Sequence, residues 1–368
     1  MLVEGLSVTT LVGVAGLAIG LVFGAVTRMT DFCALGALAD MAQDRDFRRL
    51  RAWLLAIATA MVGTHLLHGF GVVDIYASVY LSPDLGWSGA IVGGLMFGYG
   101  TVMARGCGGR SLIRLAGGDL RSLVTLVALG IFAYMTLRGL TGVARVWLEE
   151  STTLTLAAGT RSSQGLPDII AAFLDLEGMA VRYGLAAFVA AAILVYCLSD
   201  SRFRRSTPHL VAGGTIGVLV SAGWVATGWL GADEFEPVTV TSLSFVRPIG
   251  DSIQYLMTFT GATITFGVAV VGGTLAGGYL AARYTDSVKV RGFEKADEMR
   301  QYLAGGALMG VGGVLALGCT IGQGVSGVAT LSVGSIIALL SIVAGGAYAI
   351  SRLGLDTADE GLHPAPGE

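Results

Sequence analysis

The chain has 368 residues, of which 54% are hydrophobic and 13% charged, about half the charged share of a typical water-soluble domain. Its 56 glycines follow no G-x-y period and its net charge is -3 with scattered basic residues, which exclude a collagen-like chain and a nucleic-acid-binding surface. Four cysteines lie far apart with no C-x-x-C pair and no Cys/His cluster, so zinc, haem and disulfide scaffolds are excluded as well.

Such a composition belongs in a lipid bilayer, and the chain reads as an all-α polytopic membrane protein. Apolar runs near the ~20 residues needed to cross the hydrocarbon fall at 8–27, 52–72, 88–104, 120–144, 181–198, 209–231, 259–282, 302–317 and 331–351. These predict nine transmembrane helices. Shorter apolar stretches at 31–42, 107–118, 248–258 and 319–330 predict four short re-entrant helices. Basic residues set the orientation, because cytoplasmic loops collect Lys and Arg. With the N-terminus outside and the C-terminus cytoplasmic, 18 of the 23 basic residues fall on the inner face, from Arg28 to Arg352. The acidic Asp233, Glu234 and Glu236 then lie outside. The head, MLVEG, carries no basic residue, which argues against a cleaved signal peptide.

The chain also resembles itself. A shift of 212 residues (Cys107 onto Cys319) lays GLMFGYGTVMARGC at 94–107 over GALMGVGGVLALGC at 306–319. Seven of the fourteen positions are identical, including both cysteines. The same shift, without a gap, puts Val26-Thr27 on Val238-Thr239 and Cys33 on Phe245. Each half holds four spans, and the joining span 181–198 makes the second half inverted, a transporter architecture. The expected organisation is a first repeat at 1–145, an outer loop and joining helix at 146–205, a second, inverted repeat at 206–353, and a disordered cytoplasmic tail at 354–368. The two repeats would form an hourglass with facing vestibules. Small-xxx-small spacings at Gly16/Gly20/Gly24, Gly94/Gly98, Gly213/Gly217, Gly273/Gly277 and Gly306/Gly310 predict close helix packing.

Cys107 and Cys319 each follow a glycine at the break between a long span and a short helix. Freed N–H groups at such a break favour an anion, and Gly106, Gly108 and Gly318 let backbone approach a ligand. Cys33 opens the first short helix, in Thr30-Asp31-Phe32-Cys33-Ala34. Thiols are soft, weak donors and acceptors, suited to a polarizable sulfur-bearing anion. Arg105 and Arg110 either offset charge beside Cys107 or mark the cytoplasmic interface, and Arg28 poses the same choice. Gln323 either donates its amide to an oxygen of the anion or caps the short helix. Cys197, in the joining span, reads as a small buried apolar residue.

The stretch Ala104-Arg105-Gly106-Cys107-Gly108-Gly109-Arg110-Ser111-Leu112, running on through Gly118-Asp119-Leu120-Arg121-Ser122-Leu123, resembles the YeeE/YedE sulfur-transport family. So does Leu317-Gly318-Cys319-Thr320-Ile321-Gly322-Gln323-Gly324-Val325-Ser326-Gly327. The resemblance covers nearly the whole chain. It implies a bacterial inner-membrane protein that takes up thiosulfate past a line of thiols: Cys319 near the outer entrance, Cys107 centrally and Cys33 toward the cytoplasm. It also implies a small cytoplasmic sulfurtransferase-like partner. The expected passage is non-covalent, through S–H contacts of neutral thiols, with Arg247 drawing the anion in. Selenium-containing anions suit the same groups.

Two enzyme readings compete. Gly324-Val325-Ser326-Gly327 has the G-x-S-G form of an intramembrane serine protease, but the histidine C-terminal to it, His363, lies in the polar tail. A membrane thiol-disulfide oxidoreductase would use the cysteines but wants closely paired thiols. His65 and His68 read as residues of the membrane interface, Asp119 as a helix cap, and the loop 149–180 as a cover over the entrance or a plain connection. No nucleotide motif appears, and no cofactor is expected.

Overall fold

The computed structural model describes residues 7–156, 163–174, 178–233 and 238–353. The MLVEG head, Glu234, Glu236, part of the 149–180 loop with Arg161 and Ser162, and the 354–368 tail lie outside the described residues. The first half holds α1 (Val8–Thr30), α2 (Ala34–Gln43), α3 (Arg48–Gly69), α4 (Trp87–Met103), α5 (Gly108–Ala116) and α6 (Leu120–Arg138). A short α7 (Leu140–Thr152), α8 (Leu166–Leu174), α9 (Gly178–Ser199) and α10 (Ser201–Arg204) connect to the second half. That half holds α11 (Thr207–Gly228), α12 (Val246–Met257), α13 (Phe266–Tyr284), α14 (Ala296–Leu315) and α15 (Val333–Leu353). A two-residue ladder, β1 (Asp84–Leu85) with β2 (Leu154–Thr155), is a minor addition to an otherwise helical chain.

Among the described residues, seven helices are long and apolar enough to cross a membrane. The apolar runs predict nine. The other two runs fold as α4, which is only 17 residues long, and α14, whose first turn carries Asp297 and Glu298. The run 120–144 ends early, because Gly139 adopts an extended conformation and α7 starts a new axis there. The stretches 31–42, 107–118 and 248–258 fold as α2, α5 and α12. The fourth does not form an α-helix: Gly322–Gly327 is a π turn leading into the 3-10 turn Val328–Thr330. Three glycines lower its helix propensity, and Ser326 donates instead to the Leu243 carbonyl at 2.8 Å.

The 212-residue shift carries α2 onto α12, and it carries the C-terminal turn of α4 onto that of α14. Arg105 and Leu317, equivalent under the shift, both adopt left-handed backbone (φ 54 and 56). Each is succeeded by the same closing hydrogen bond, Gly106 N to Thr101 O and Gly318 N to Gly313 O. Before the short helices the shift fails. Val26 and Thr27 are helical, whereas Val238 and Thr239 lie in the extended segment between α11 and α12.

At the centre, α4 and α14 run antiparallel at glycine contact. A Cβ on Gly93 would lie 2.6 Å from the Gly312 carbonyl oxygen, and one on Gly100 would lie 2.7 Å from that of Gly305. The shift exchanges these pairs, because it carries Gly93 to Gly305 and Gly100 to Gly312. Around this seam α15 packs on α4 and α6 packs on α14, while α13 packs on α1 and α11 on α3. The predicted small-residue spacings face these partners, as with Gly213 and Gly217 of α11 against Ala52 and Ala56 of α3.

At one end of the bundle, buried ion pairs stitch loops together. Asp119 caps α6 through the Arg121 N–H and accepts from Arg114 and Arg121 side chains, and Arg121 reaches Glu298 at 2.9 Å. Backbone bonds from Lys289 N to Gly117 O and from Leu120 N to Arg291 O tie the same turn to the α13–α14 loop. Arg28 donates to Ser287, so it is a staple of this end. Burial alone would push the Asp119 carboxyl up, but Arg114 and then Arg121 outweigh it and hold the group below the usual carboxylate range.

A carboxylate with a lowered folded pKa stabilises above its unfolded value, and that contribution is lost as pH falls through the folded pKa. Asp119→Asn keeps the cap, so it should cost about 1–2 kcal/mol near neutral pH, and the gap should close in acid, as read by thermal unfolding in detergent. Gly93→Ala should cost about 1–3 kcal/mol by overpacking the seam. Gly184→Ala, on the open face of α9 with nothing within 4 Å, should leave the melting temperature unchanged or higher.

Candidate functional site

All four cysteines are buried free thiols. Cys33 is the N-cap of α2, where its Sγ accepts from the Gly36 N–H at 3.4 Å. Cys107 is the N-cap of α5 in extended backbone. Cys319 opens the segment before the π turn, and its Sγ accepts from the Gly322 N–H at 3.3 Å. Cys107 lies within Coulombic reach of both Cys319 and Cys33. The neighbouring Thr320 hydroxyl is buried without a hydrogen-bond partner. Cys197 stands apart, donating its S–H to the Arg51 carbonyl.

The three thiols sit in unequal surroundings. Toward the end away from the ion-pair network, a cavity of about 390 Å³ counts Tyr80, Ser242, Ser244, Arg247, Asp251 and Gly318 among its lining. The extended segment between α11 and α12, which breaks the repeat, supplies much of this lining. Arg247 is exposed and pairs loosely with Asp251 at 3.5 Å. Toward the other end lies Arg110, buried, with its guanidinium within Coulombic reach of both Cys107 and Cys33 and hydrogen-bonded to Asp31. Arg49 holds the second Asp31 oxygen at 2.6 Å.

The remaining sequence-derived candidates separate. Gly106 packs on the Arg110 stem and Gly318 on Gln323, while Gly108 and Gly109 lie against Leu129, Ile249 and the Phe245 ring. Arg105 offers its carbonyl to Arg114 at 2.9 Å. Gln323 turns back and donates to the Ala316 carbonyl at 2.6 Å, so it caps α14 rather than the short segment it belongs to. Its Oε1 is buried without a donor. His65, expected at the interface, is buried beside Tyr183, because α9 packs against that end of α3. The loop segment 163–166 is tied down by Leu166 N to Leu331 O and Val333 N to Gln164 O.

Sequence reasoning assigns no role to Asp31, Tyr80, Ser244 or Phe245. Asp31 stands inside the Cys33 motif, and the repeat places Phe245 opposite Cys33. Tyr80 carries no sequence signal.

The fold and these buried groups define a polytopic, all-helical membrane protein with an unusual concentration of polar chemistry at its centre. Residues 29–348 match the family described as Sulphur transport, and the chain belongs to that family. It is 26% identical over 324 residues to the thiosulfate transporter TsuA of Escherichia coli (strain K12), covering 84% of this chain and 86% of that one. It is 24% identical over 318 residues to the thiosulfate transporter TsuA of Spirochaeta thermophila, covering 85% and 90%. Family membership is a statement about transport, not catalysis.

The cap role of Cys33 separates from its thiol chemistry by substitution. Cys33→Ser retains a side-chain acceptor for the Gly36 N–H and should hold the melting temperature, whereas Cys33→Ala should cost about 0.5–1 kcal/mol in thermal unfolding.

Proposed function

We propose that this protein carries thiosulfate, or a similarly small sulfur-bearing anion, across the bacterial inner membrane into the cell. The observation that carries this reading is a buried Cys107 close enough to two further buried thiols, Cys33 and Cys319, to interact with them electrostatically, in a chain whose relatives are thiosulfate transporters. The anion enters the cavity above Gly318, meets Cys319, passes to Cys107 and leaves by Cys33. Arg247 at the rim and Arg110 beyond Cys107 supply positive charge along the way. Gly106, Gly108 and Gly318 keep the path open to backbone, and Gln323 offers its remaining amide hydrogen. Arg105 belongs to the inner rim of the same path.

Each step is an exchange of hydrogen bonds. A neutral S–H donates to the terminal sulfur or an oxygen of the dianion, and no covalent bond forms. The thiols stay protonated, since a thiolate would repel a doubly charged guest. In this arrangement α4 and α14 cross with the seven apolar helices to give nine spans, and α2, α5, α12 and the 319–330 segment enter as re-entrant elements. The halves 1–145 and 206–353 are inverted repeats forming an hourglass, with the N-terminus outside and the basic end cytoplasmic, where a sulfurtransferase-like protein receives the anion. The exchanged glycine pairs of the α4–α14 seam and the ion-pair network at one end support this topology.

Purified protein in proteoliposomes should take up radiolabelled thiosulfate, and excess sulfate should compete poorly because it lacks the soft terminal sulfur. Cys107→Ala should lose uptake while remaining monodisperse, Cys33→Ala and Cys319→Ala should reduce it strongly, and Cys197→Ala should transport normally. Full uptake by the Cys107→Ala protein, or equal transport of sulfate, would sink the proposal.

A further inference from the structure

The thiol path is not symmetric in charge. The shift that carries Cys107 to Cys319 carries Asp31 to Leu243, Arg49 to Gly261 and Arg110 to Gly322, so the second half has no counterpart of this ion cluster. The cavity at the far end is mostly apolar and carries its charge in the exposed, loosely paired Arg247 and Asp251, whereas Cys107 and Cys33 adjoin a buried guanidinium.

Within the cluster the partners differ in how they are held. Arg110 is more than nine-tenths buried, and its Nε–H has no acceptor in the protein. One of its Nη atoms donates to Asp31. The Asp31 carboxylate sits at the break between α1 and α2, in left-handed backbone (φ 53), and is the more exposed partner, 21% against 9%. Arg49 of α3 occupies its other oxygen and also reaches Asp40 of α2. Asp31 therefore keeps a cation when Arg110 lets go. That matters, because leaving a buried carboxylate without any partner is strongly unfavourable.

We propose that Asp31 is the inner gate of the path: it competes with the transported anion for Arg110, and so sets how tightly the anion is held and how quickly it leaves. The assignment rests on the transport reading above. An anion arriving at Cys107 takes the free Arg110 Nε–H and then displaces the Asp31 oxygen, two N–H donors meeting two oxygens of the guest. Asp31, retained by Arg49, then stands beside Cys33 as a negative charge. It takes Arg110 back as the dianion moves past Cys33, which makes release toward the basic end favourable.

The test uses purified protein with two readouts: equilibrium binding of radiolabelled thiosulfate, and maximal uptake rate in proteoliposomes. Asp31→Asn is close to isosteric and leaves Arg49 its bond to Asp40. It should bind thiosulfate roughly tenfold more tightly and turn over more slowly, because nothing competes for Arg110. Asp31→Glu, which keeps the charge, should reverse most of both changes. If the asparagine variant is not monodisperse, Asp31→Ser replaces it with the same expectation. Unchanged or weaker binding, or tighter binding with an unchanged rate, overturns the gate. Absence of thiosulfate uptake by the unsubstituted protein, or uptake that survives Cys107→Ala, would instead remove the underlying transport reading, whatever the Asp31 variants do.

Discussion

Everything at the centre of this protein depends on how closely α4 and α14 can approach. Gly93 faces Gly312 and Gly100 faces Gly305 at distances that leave no room for a Cβ. In a bilayer the lipid tails are as apolar as any side chain, so helices associate through close van der Waals contact rather than through exclusion from water. The glycine seam supplies that contact. The two helices end in matching left-handed turns at opposite ends of this antiparallel seam, and each turn hands over to a cysteine at a backbone break.

Around this shared frame the two ends have diverged. One carries a network of buried arginines and carboxylates, Arg114–Asp119–Arg121–Glu298 and Arg49–Asp31–Arg110, that ties short helices to loops. The other has an irregular 238–245 segment in place of a helical turn and opens a mostly apolar cavity with hydroxyls and the Arg247–Asp251 pair in its lining. A buried cation is expensive without a partner, so placing Arg110 next to two thiols requires Asp31 nearby, and Asp31 in turn requires Arg49. Such a chain of compensation suits a guest that is itself an anion. The buried cluster holds Arg110 through Asp31 and Asp31 through Arg49, whereas the pair at the other end, Arg247 with Asp251, is exposed and loose.

Much of the fold is legible in the sequence because bilayer physics writes it plainly. Each apolar run of sufficient length forms a helix, and the small-residue spacings form contact faces. Where pattern and structure part, local chemistry explains it. Gly139 stops the fourth run early, and three glycines with Ser326 and Gln323 turn the 319–330 stretch into π and 3-10 turns. The spacing of His65 from His68 points to an interface, but its burial against Tyr183 of α9 comes from a segment more than a hundred residues away. The cysteines stand out because a repeat singles them out. Asp31 and Tyr80 do not, since an acidic residue near a helix end and a tyrosine near an apolar run are ordinary features of any membrane chain.

The amino-acid sequence by itself determined the membrane class, the approximate helix boundaries, the self-similarity of the two halves and the family, because each depends on local pattern and on which residue types recur. Tertiary structure alone decided which groups meet. That Arg110 faces Asp31 rather than water, that Gln323 bonds back to Ala316, and that Cys107 reaches both Cys33 and Cys319 are consequences of helices packed at glycine distance. No spacing along the chain encodes those pairings, because their partners are joined only through the core.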